Sequence, residues 1–102
     1  MSKSVSWSEN SLQDIEDIAE FISRDSIHHA QRVIDEIFNI VETLQTQPEM
    51  GRIVPELNQN NVREHFIYSY RIIYEIKDEQ LHILAVIHGG RLLENIGERF
   101  MP

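Results

Sequence analysis

The last apolar run of the chain ends abruptly in polar residues. In LAVIHGGR, residues 84–91, strand-like side chains give way to His88, two glycines and Arg91. An imidazole exchanges protons near neutral pH and a guanidinium holds anions, so this pair could serve a catalytic or anion-binding surface. The other interpretation is that both residues only mark the point where a strand meets solvent. The polar side chains of the neighbouring strand help to decide between the two.

The segment before this run predicts the strand that pairs with it. YRIIYEI at 70–76 and LHILAVIH at 81–88 flank KDEQ, which indicates an antiparallel hairpin that turns at Asp78–Glu79. Side chains alternate between the two faces of such a hairpin. The face predicted to cover the core holds Tyr70, Ile72, Tyr74, Ile76, Leu81, Ile83, Ala85 and Ile87. The other face holds Arg71, Ile73, Glu75, His82, Leu84, Val86 and His88.

This register makes Arg71 and His88 diagonal neighbours, with Cα atoms about 7–8 Å apart, close enough for both side chains to act on one ligand. Arg91 follows at the same strand end. The alternative is an ordinary solvent-facing polar surface, in which Glu75 opposite His82 is only a cross-strand ion pair.

Other chemical motifs are missing from the sequence. It has no phosphate-binding glycine loop, and Gly89–Gly90 alone is a weak phosphate signal. The five histidines lack the spacing of metal ligands, and no serine lies in a G-x-S-x-G context. We therefore expect no metal site and no cofactor.

The remaining elements predict an α+β domain. KSVSW at 3–7 reads as an edge strand, and Leu12 to Ile22 as an amphipathic helix that begins near Ser11. A second apolar stripe runs from Ile27 to Leu44 and stops at Pro48, which predicts an antiparallel two-helix hairpin. After a loop that contains Gly51 and Pro55, three strands follow at 62–67, 70–76 and 81–88, and 91–100 is a short helix or turn. The helical hairpin is expected to pack on a twisted antiparallel sheet.

Composition bounds the function classes. The 102 residues suit one domain spanning 1–102, with no membrane span and no secretory leader. The lack of cysteine suits the cytoplasm. The net charge of −8 opposes generic nucleic-acid binding. Residues 1–50 include three basic and ten acidic residues, whereas residues 51–102 include six basic and seven acidic residues. An anionic partner is therefore expected to contact the second half.

Five segments carry a resemblance to a known superfamily. LQDIEDIAEFI, PEMGRIVPEL, VREHF, YRIIYEI and ILAVIHGGR occur in this order over nearly the whole chain. Together they resemble the ParE/RelE superfamily of type II toxin–antitoxin toxins, in its plasmid-stabilisation branch. The resemblance implies a two-helix hairpin over a twisted antiparallel sheet. It also implies a cognate antitoxin, ParD-like or similar, in a hetero-oligomer that meets DNA only through the antitoxin.

The resemblance leaves two targets open. RelE-like and YoeB-like members are ribosome-dependent ribonucleases, and the positions that match their site are Glu56, Arg63, Arg71 and His88. In that reading Arg71 holds phosphate, Glu56 is the general base and His88 is the strand-end histidine. ParE-like members inhibit DNA gyrase through protein contacts and are not enzymes. For such a target the expected binding surface comprises Arg52, Arg63, Arg71, His88 and Arg91.

The two long helices, the HGGR strand end and the acidic charge favour the ParE-like reading, and the lysine-bearing strand of RelE-like nucleases is missing. An inactive toxin that acts only as a co-repressor through its antitoxin is a third alternative. A domain this small is not expected to cover both faces of its sheet. We therefore predict antitoxin contacts at Ile73, Leu84 and Val86, or along the helical hairpin.

Overall fold

The two apolar stripes form two helices. In the computed structural model, which describes residues 2–89, α1 spans Glu9–Ser23 and α2 spans Ile27–Thr46. Ser26 caps α2, as a serine before an apolar stripe favours, and α2 ends before the short 3₁₀ turn Pro48–Met50. The start of α1 lies earlier than predicted, because Ser8 is its cap and accepts a hydrogen bond from the backbone N–H of Ser11.

Five strands form one sheet. They are β1 (Ser4–Trp7), β2 (Arg52–Ile53), β3 (Val62–Ile67), β4 (Tyr70–Lys77) and β5 (Gln80–His88). Their order in the sheet is β1-β5-β4-β3-β2. The predicted meander of β3, β4 and β5 is confirmed, and so is the short N-terminal edge strand. β1 pairs with β5 in parallel, whereas every other pair is antiparallel, and β2 lies in a segment predicted to be loop.

The chain itself covers one face of the sheet and part of the other. The helical hairpin packs on one face, here called the helix face, around a core that includes Ile37, Leu44, Ile72 and Tyr74. On the opposite face, Val54 lies in a second cluster with Val62, Ile73, Ala85 and Ile87, and Leu57 packs against it. Residues 54–61, here called the covering loop, therefore screen part of the face that the sequence left to a partner. The expectation of an open face was wrong for the part that Val54 and Leu57 cover, whereas Phe66 on the same face is 47% exposed.

A β-bulge at Leu84 changes the predicted register. Pairing runs as predicted from Lys77–Gln80 to Tyr74–Ile83, and then Ile73 pairs with Ala85 instead of Leu84. Every later residue of β5 consequently moves to the opposite face. Ala85 and Ile87 leave the helix face, and Val86 takes their place in the main core.

α1 is bonded to the irregular part of β5. The buried carboxylate of Asp14 accepts a hydrogen bond from the backbone N–H of Val86 at 2.9 Å. The hydroxyl of Ser8 donates to the carbonyl of Leu84 at 3.1 Å. Both groups satisfy backbone atoms of β5 beyond the four residues that pair with β1. The helix start and the bulge therefore form one structural unit.

No helix within residues 2–89 is long and apolar enough to cross a membrane. The helix or turn predicted at 91–100 lies outside the described residues.

Candidate functional site

A buried arginine lies at the centre of the candidate site. Arg71 occupies β4 with its side chain 5% exposed, on the face opposite the helices. Its guanidinium Nη1 donates to Oε1 of Glu64 on β3 at 2.8 Å, and the Glu64 side chain is fully buried. Alternation in VREHF places Glu64 on the same face as buried Val62. That alternation was the signal for Glu64, which the sequence reasoning did not select.

Two further charged residues extend this pair. Glu56, in the covering loop, accepts from Arg71 at both carboxylate oxygens, at 3.3 and 3.1 Å. Arg52 of β2 donates through Nε to Oε2 of Glu64 at 2.5 Å, and its guanidinium lies 5.3 Å from the Phe66 ring centroid. The four side chains thus form an alternating row, Glu56–Arg71–Glu64–Arg52, here called the charge row.

The charge row fixes the ionisation of Arg71 and Glu56. Burial alone would lower the pKa of Arg71, but hydrogen bonds to Glu56 and Glu64 outweigh it and raise the pKa. The hydrogen bond from Arg71 lowers the pKa of Glu56, against a smaller opposing effect of burial. Glu56 is therefore ionised at neutral pH and is a weak proton acceptor. An external anion would have to displace a carboxylate to reach Arg71.

The structure does not bring the four ribonuclease candidates together. Arg63 pairs with Tyr74 across the sheet and so lies on the helix face, where its Nη1 donates to the carbonyl of Gly51 at 3.1 Å. His88 pairs with Tyr70 on that face, with ring centroids 5.9 Å apart. Only Glu56 and Arg71 meet. The prediction that Arg71 and His88 share a face is wrong, because the bulge at Leu84 turns His88 over.

The residues predicted to contact the antitoxin or the target also do not form continuous surfaces, because some are buried and others are exposed. Ile73 is fully buried in the second cluster and Val86 is buried in the main core, so neither offers a docking surface. Leu84 is half-buried and stays a prediction. Of the predicted target-binding arginines, Arg52 is 61% exposed in its side chain, whereas Arg91 lies outside the described residues.

Within residues 2–89, no group of three histidine, aspartate or glutamate side chains is placed to hold a metal ion. The two carboxylates of the charge row are both bound to arginines. The row is thus a set of ion pairs that ties the covering loop to β4 and β2 to β3.

Comparison with solved structures shows a shared fold. The chromosomal ParDE toxin–antitoxin system from P. aeruginosa aligns with a TM-score of 0.70 at 18% identity, over 85% of this chain and 96% of that one. The toxin–antitoxin complex RelBE2 from Mycobacterium tuberculosis gives 0.65 at 16% identity, over 86% and 99%. A free-state mutant of the E. coli toxin RelE gives 0.67 at 12% identity, over 98% and 92%.

Comparison of the sequence with family models identifies a family, which the likeness in fold does not. No curated protein matches the chain in sequence. The family model of the ParE toxin of type II toxin–antitoxin systems, parDE, matches residues 5–93 and so spans both helices and all of the sheet except the first residue of β1. The chain therefore belongs to the ParE toxin family of type II toxin–antitoxin systems, within the ParE/RelE superfamily.

Proposed function

We propose that this toxin inhibits DNA gyrase by protein contact and does not cleave RNA. The observation that carries the proposal is the match of the ParE family model to residues 5–93. A cytoplasmic location follows from this target.

The geometry of the candidate site supports the proposal. RNA cleavage through a 2′-hydroxyl requires a base, an acid and cations around one phosphate. Here Glu56 is ionised against Arg71, and Arg71 is engaged by two carboxylates. Arg63 and His88 lie across the sheet from them. The net charge of −8 further disfavours docking on ribosomal RNA.

We further propose that a cognate antitoxin neutralises the toxin and mediates any contact with DNA. Two of the structures similar to this chain, ParDE from P. aeruginosa and RelBE2 from M. tuberculosis, are toxin–antitoxin assemblies. Their likeness to this chain supports the same kind of partner here. Co-purification with the product of a short neighbouring reading frame is the first check.

Parallel assays of the purified toxin test the target. We expect inhibition of gyrase supercoiling of a relaxed plasmid, reversed by antitoxin, and no cleavage of mRNA on ribosomes. Arg52→Ala should weaken gyrase inhibition, because Arg52 is the exposed end of the charge row. Arg24→Ala is the matched control, since the Arg24 side chain is 68% exposed and pairs with Glu20 on α1.

Two outcomes would contradict the proposal. Ribosome-dependent cleavage that is lost in His88→Gln and Glu56→Gln would establish the ribonuclease alternative. Absence of both activities would favour an inactive toxin that acts only through its antitoxin.

A further inference from the structure

One aromatic side chain stays exposed on the sheet face opposite the helices. Phe66 of β3 pairs with Arg71 across the sheet and so lies on that face, where it is 47% exposed. On the same face Val62 and Ile73 are buried in the second cluster. A single exposed phenylalanine is ordinary on a protein surface, so the groups around Phe66 decide whether it serves as a contact.

The groups around Phe66 hold its ring in place. The guanidinium of Arg52 lies 5.3 Å from the ring centroid. A Cβ at Gly89, the residue after β5, would lie 3.5 Å from Cε1 of the ring, within van der Waals contact. The first glycine of the HGGR strand end therefore borders Phe66. A ring that is already held by a cation and by backbone loses little conformational freedom when a partner binds it.

Arg52 is held in place as well and keeps donors for a partner. Its Nε donates to the buried carboxylate of Glu64 at 2.5 Å, while the Arg52 side chain is 61% exposed. Within residues 2–89, no group accepts a hydrogen bond from Nη1 or Nη2 of Arg52. Two such nitrogens match the two oxygens of a carboxylate. Arginine and aromatic side chains are also the types that carry most of the binding energy in protein interfaces.

The edge of β3 is open beside Phe66. The N–H of Val54 donates to the carbonyl of Val62 at 3.3 Å, so alternation directs the backbone groups of every second β3 residue, Phe66 included, toward the β2 side. The pairing of β2 with β3 ends at Arg52, because Met50 already belongs to the 3₁₀ turn. Phe66 therefore presents its backbone N–H and carbonyl to an added chain.

The charge around Phe66 favours an acidic protein segment as the partner. Arg52 is the exposed cation at this place, and the neighbouring carboxylates of Glu56 and Glu64 are already bonded to arginines. A nucleic acid would bring many phosphates to a chain of net charge −8. A protein segment can instead bring one carboxylate to Arg52 with apolar side chains beside it.

We infer that Phe66, Arg52 and Gly89, here called the Phe66 surface, bind an acidic segment of gyrase. A carboxylate of that segment bonds the Nη atoms of Arg52, and an apolar side chain packs on the Phe66 ring. The inference rests on the proposed function, in that gyrase is the target. It adds Phe66 as the anchor of the contact and gives the chemistry of the gyrase segment.

Binding of the purified toxin, without antitoxin, to immobilised whole gyrase tests the anchor by biolayer interferometry. Phe66→Ser should raise the dissociation constant about 30-fold or more, as loss of an aromatic hot spot does. Phe66→Trp keeps an aromatic ring for Arg52 and should bind nearly as well as wild type. The matched control is Phe38→Ser, because Phe38 is 45% exposed on α2 and packs on Trp7.

Charge reversal tests the acidic character of the gyrase segment. Arg52→Glu should weaken binding more than Arg52→Ala, because it repels a carboxylate instead of only losing the bond. Added salt should weaken wild type more than Arg52→Ala. Arg24→Glu is the matched charge change on α1, where the Arg24 side chain is 68% exposed, and it should bind as wild type does. Thermal midpoints identify any variant that fails to fold.

The outcomes separate this inference from the proposed target. Unchanged binding by folded Phe66→Ser would overturn the inference and leave gyrase as the target, whereas a wild-type toxin that does not bind gyrase would contradict both. If Phe66→Ser fails to fold, equal binding by Arg52→Glu and Arg24→Glu overturns the inference. Weaker binding of Phe66→Ser to the antitoxin or to a second toxin copy, with gyrase binding intact, would assign the Phe66 surface to that partner instead.

Discussion

At the scale of single residues, Glu56 links acid stability to the candidate site. Because Arg71 lowers the pKa of Glu56 below its ordinary value of 4.5, the pair stabilises the fold above that pH. The stabilisation is lost as the pH falls through the folded-state pKa. Glu56→Gln should therefore lower the free energy of unfolding by about 1 kcal/mol at pH 7, a small value because the Glu56 side chain is 37% exposed. Urea unfolding at pH 7 and pH 3 should show the difference from wild type shrinking at pH 3.

Glu20→Gln provides the control for this prediction. Glu20 forms an ion pair with Arg24 in which both side chains are about 70% exposed, so its loss should change little at either pH. A difference between wild type and Glu56→Gln that does not depend on pH would contradict the linkage.

At the scale of elements, Gly51 joins the 3₁₀ turn and β2 to the sheet. A Cβ at Gly51 would lie 2.5 Å from the carbonyl oxygen of Glu64 and closer still to the Tyr74 hydroxyl. That hydroxyl accepts from the Gly51 N–H at 3.0 Å and donates to the carbonyl of Pro48 at 2.7 Å. Gly51→Ala should therefore destabilise the fold by about 1–3 kcal/mol, measured by urea unfolding.

A double-mutant cycle with Tyr74→Phe separates the clash with the Tyr74 hydroxyl from the clash with the Glu64 carbonyl. Removing the hydroxyl relieves one of the two clashes, so the double variant should be more stable than the sum of the single losses implies. Strict additivity would show that the hydroxyl is not what excludes a side chain at Gly51.

The bulge at Leu84 shows where sequence patterns stop being informative. Alternation fixed the pairing from Lys77–Gln80 to Tyr74–Ile83, because polar and apolar side chains contrast there. From Leu84 to Ile87 every side chain is apolar, so a shift by one residue left the pattern unchanged. The hydrogen bonds of Ser8 and Asp14 to this region depend on tertiary structure that no local spacing reveals. The two helices and strands β1, β3, β4 and β5 were thus predictable from sequence, whereas β2 and the pairing of Arg71 with Ile87 were not.

At the scale of the molecule, the covering loop and the central strands differ in what holds them. β4 and β5 lie at the centre of the sheet, between both apolar clusters. The covering loop rests on buried Val54, on the Glu56–Arg71 pair and on turn bonds such as Asn58 N–H to the Val54 carbonyl at 2.9 Å. We therefore expect it to open while the helix-face core stays packed.

Native-state hydrogen exchange of two truncations tests this independence. Leu44→Ala empties part of the helix-face core, where Leu44 is fully buried, at a cost of about 2–5 kcal/mol. Relative to the unfolded state, it destabilises the closed state and the loop-open state equally. Amides of β4 and β5, which exchange through unfolding, should therefore exchange at least about 30-fold faster, while covering-loop amides keep their rates. Val54→Ala removes a contact that loop opening breaks, and it should accelerate exchange in both regions. Equal acceleration of both regions by Leu44→Ala would mean that the loop and the core open only as one unit.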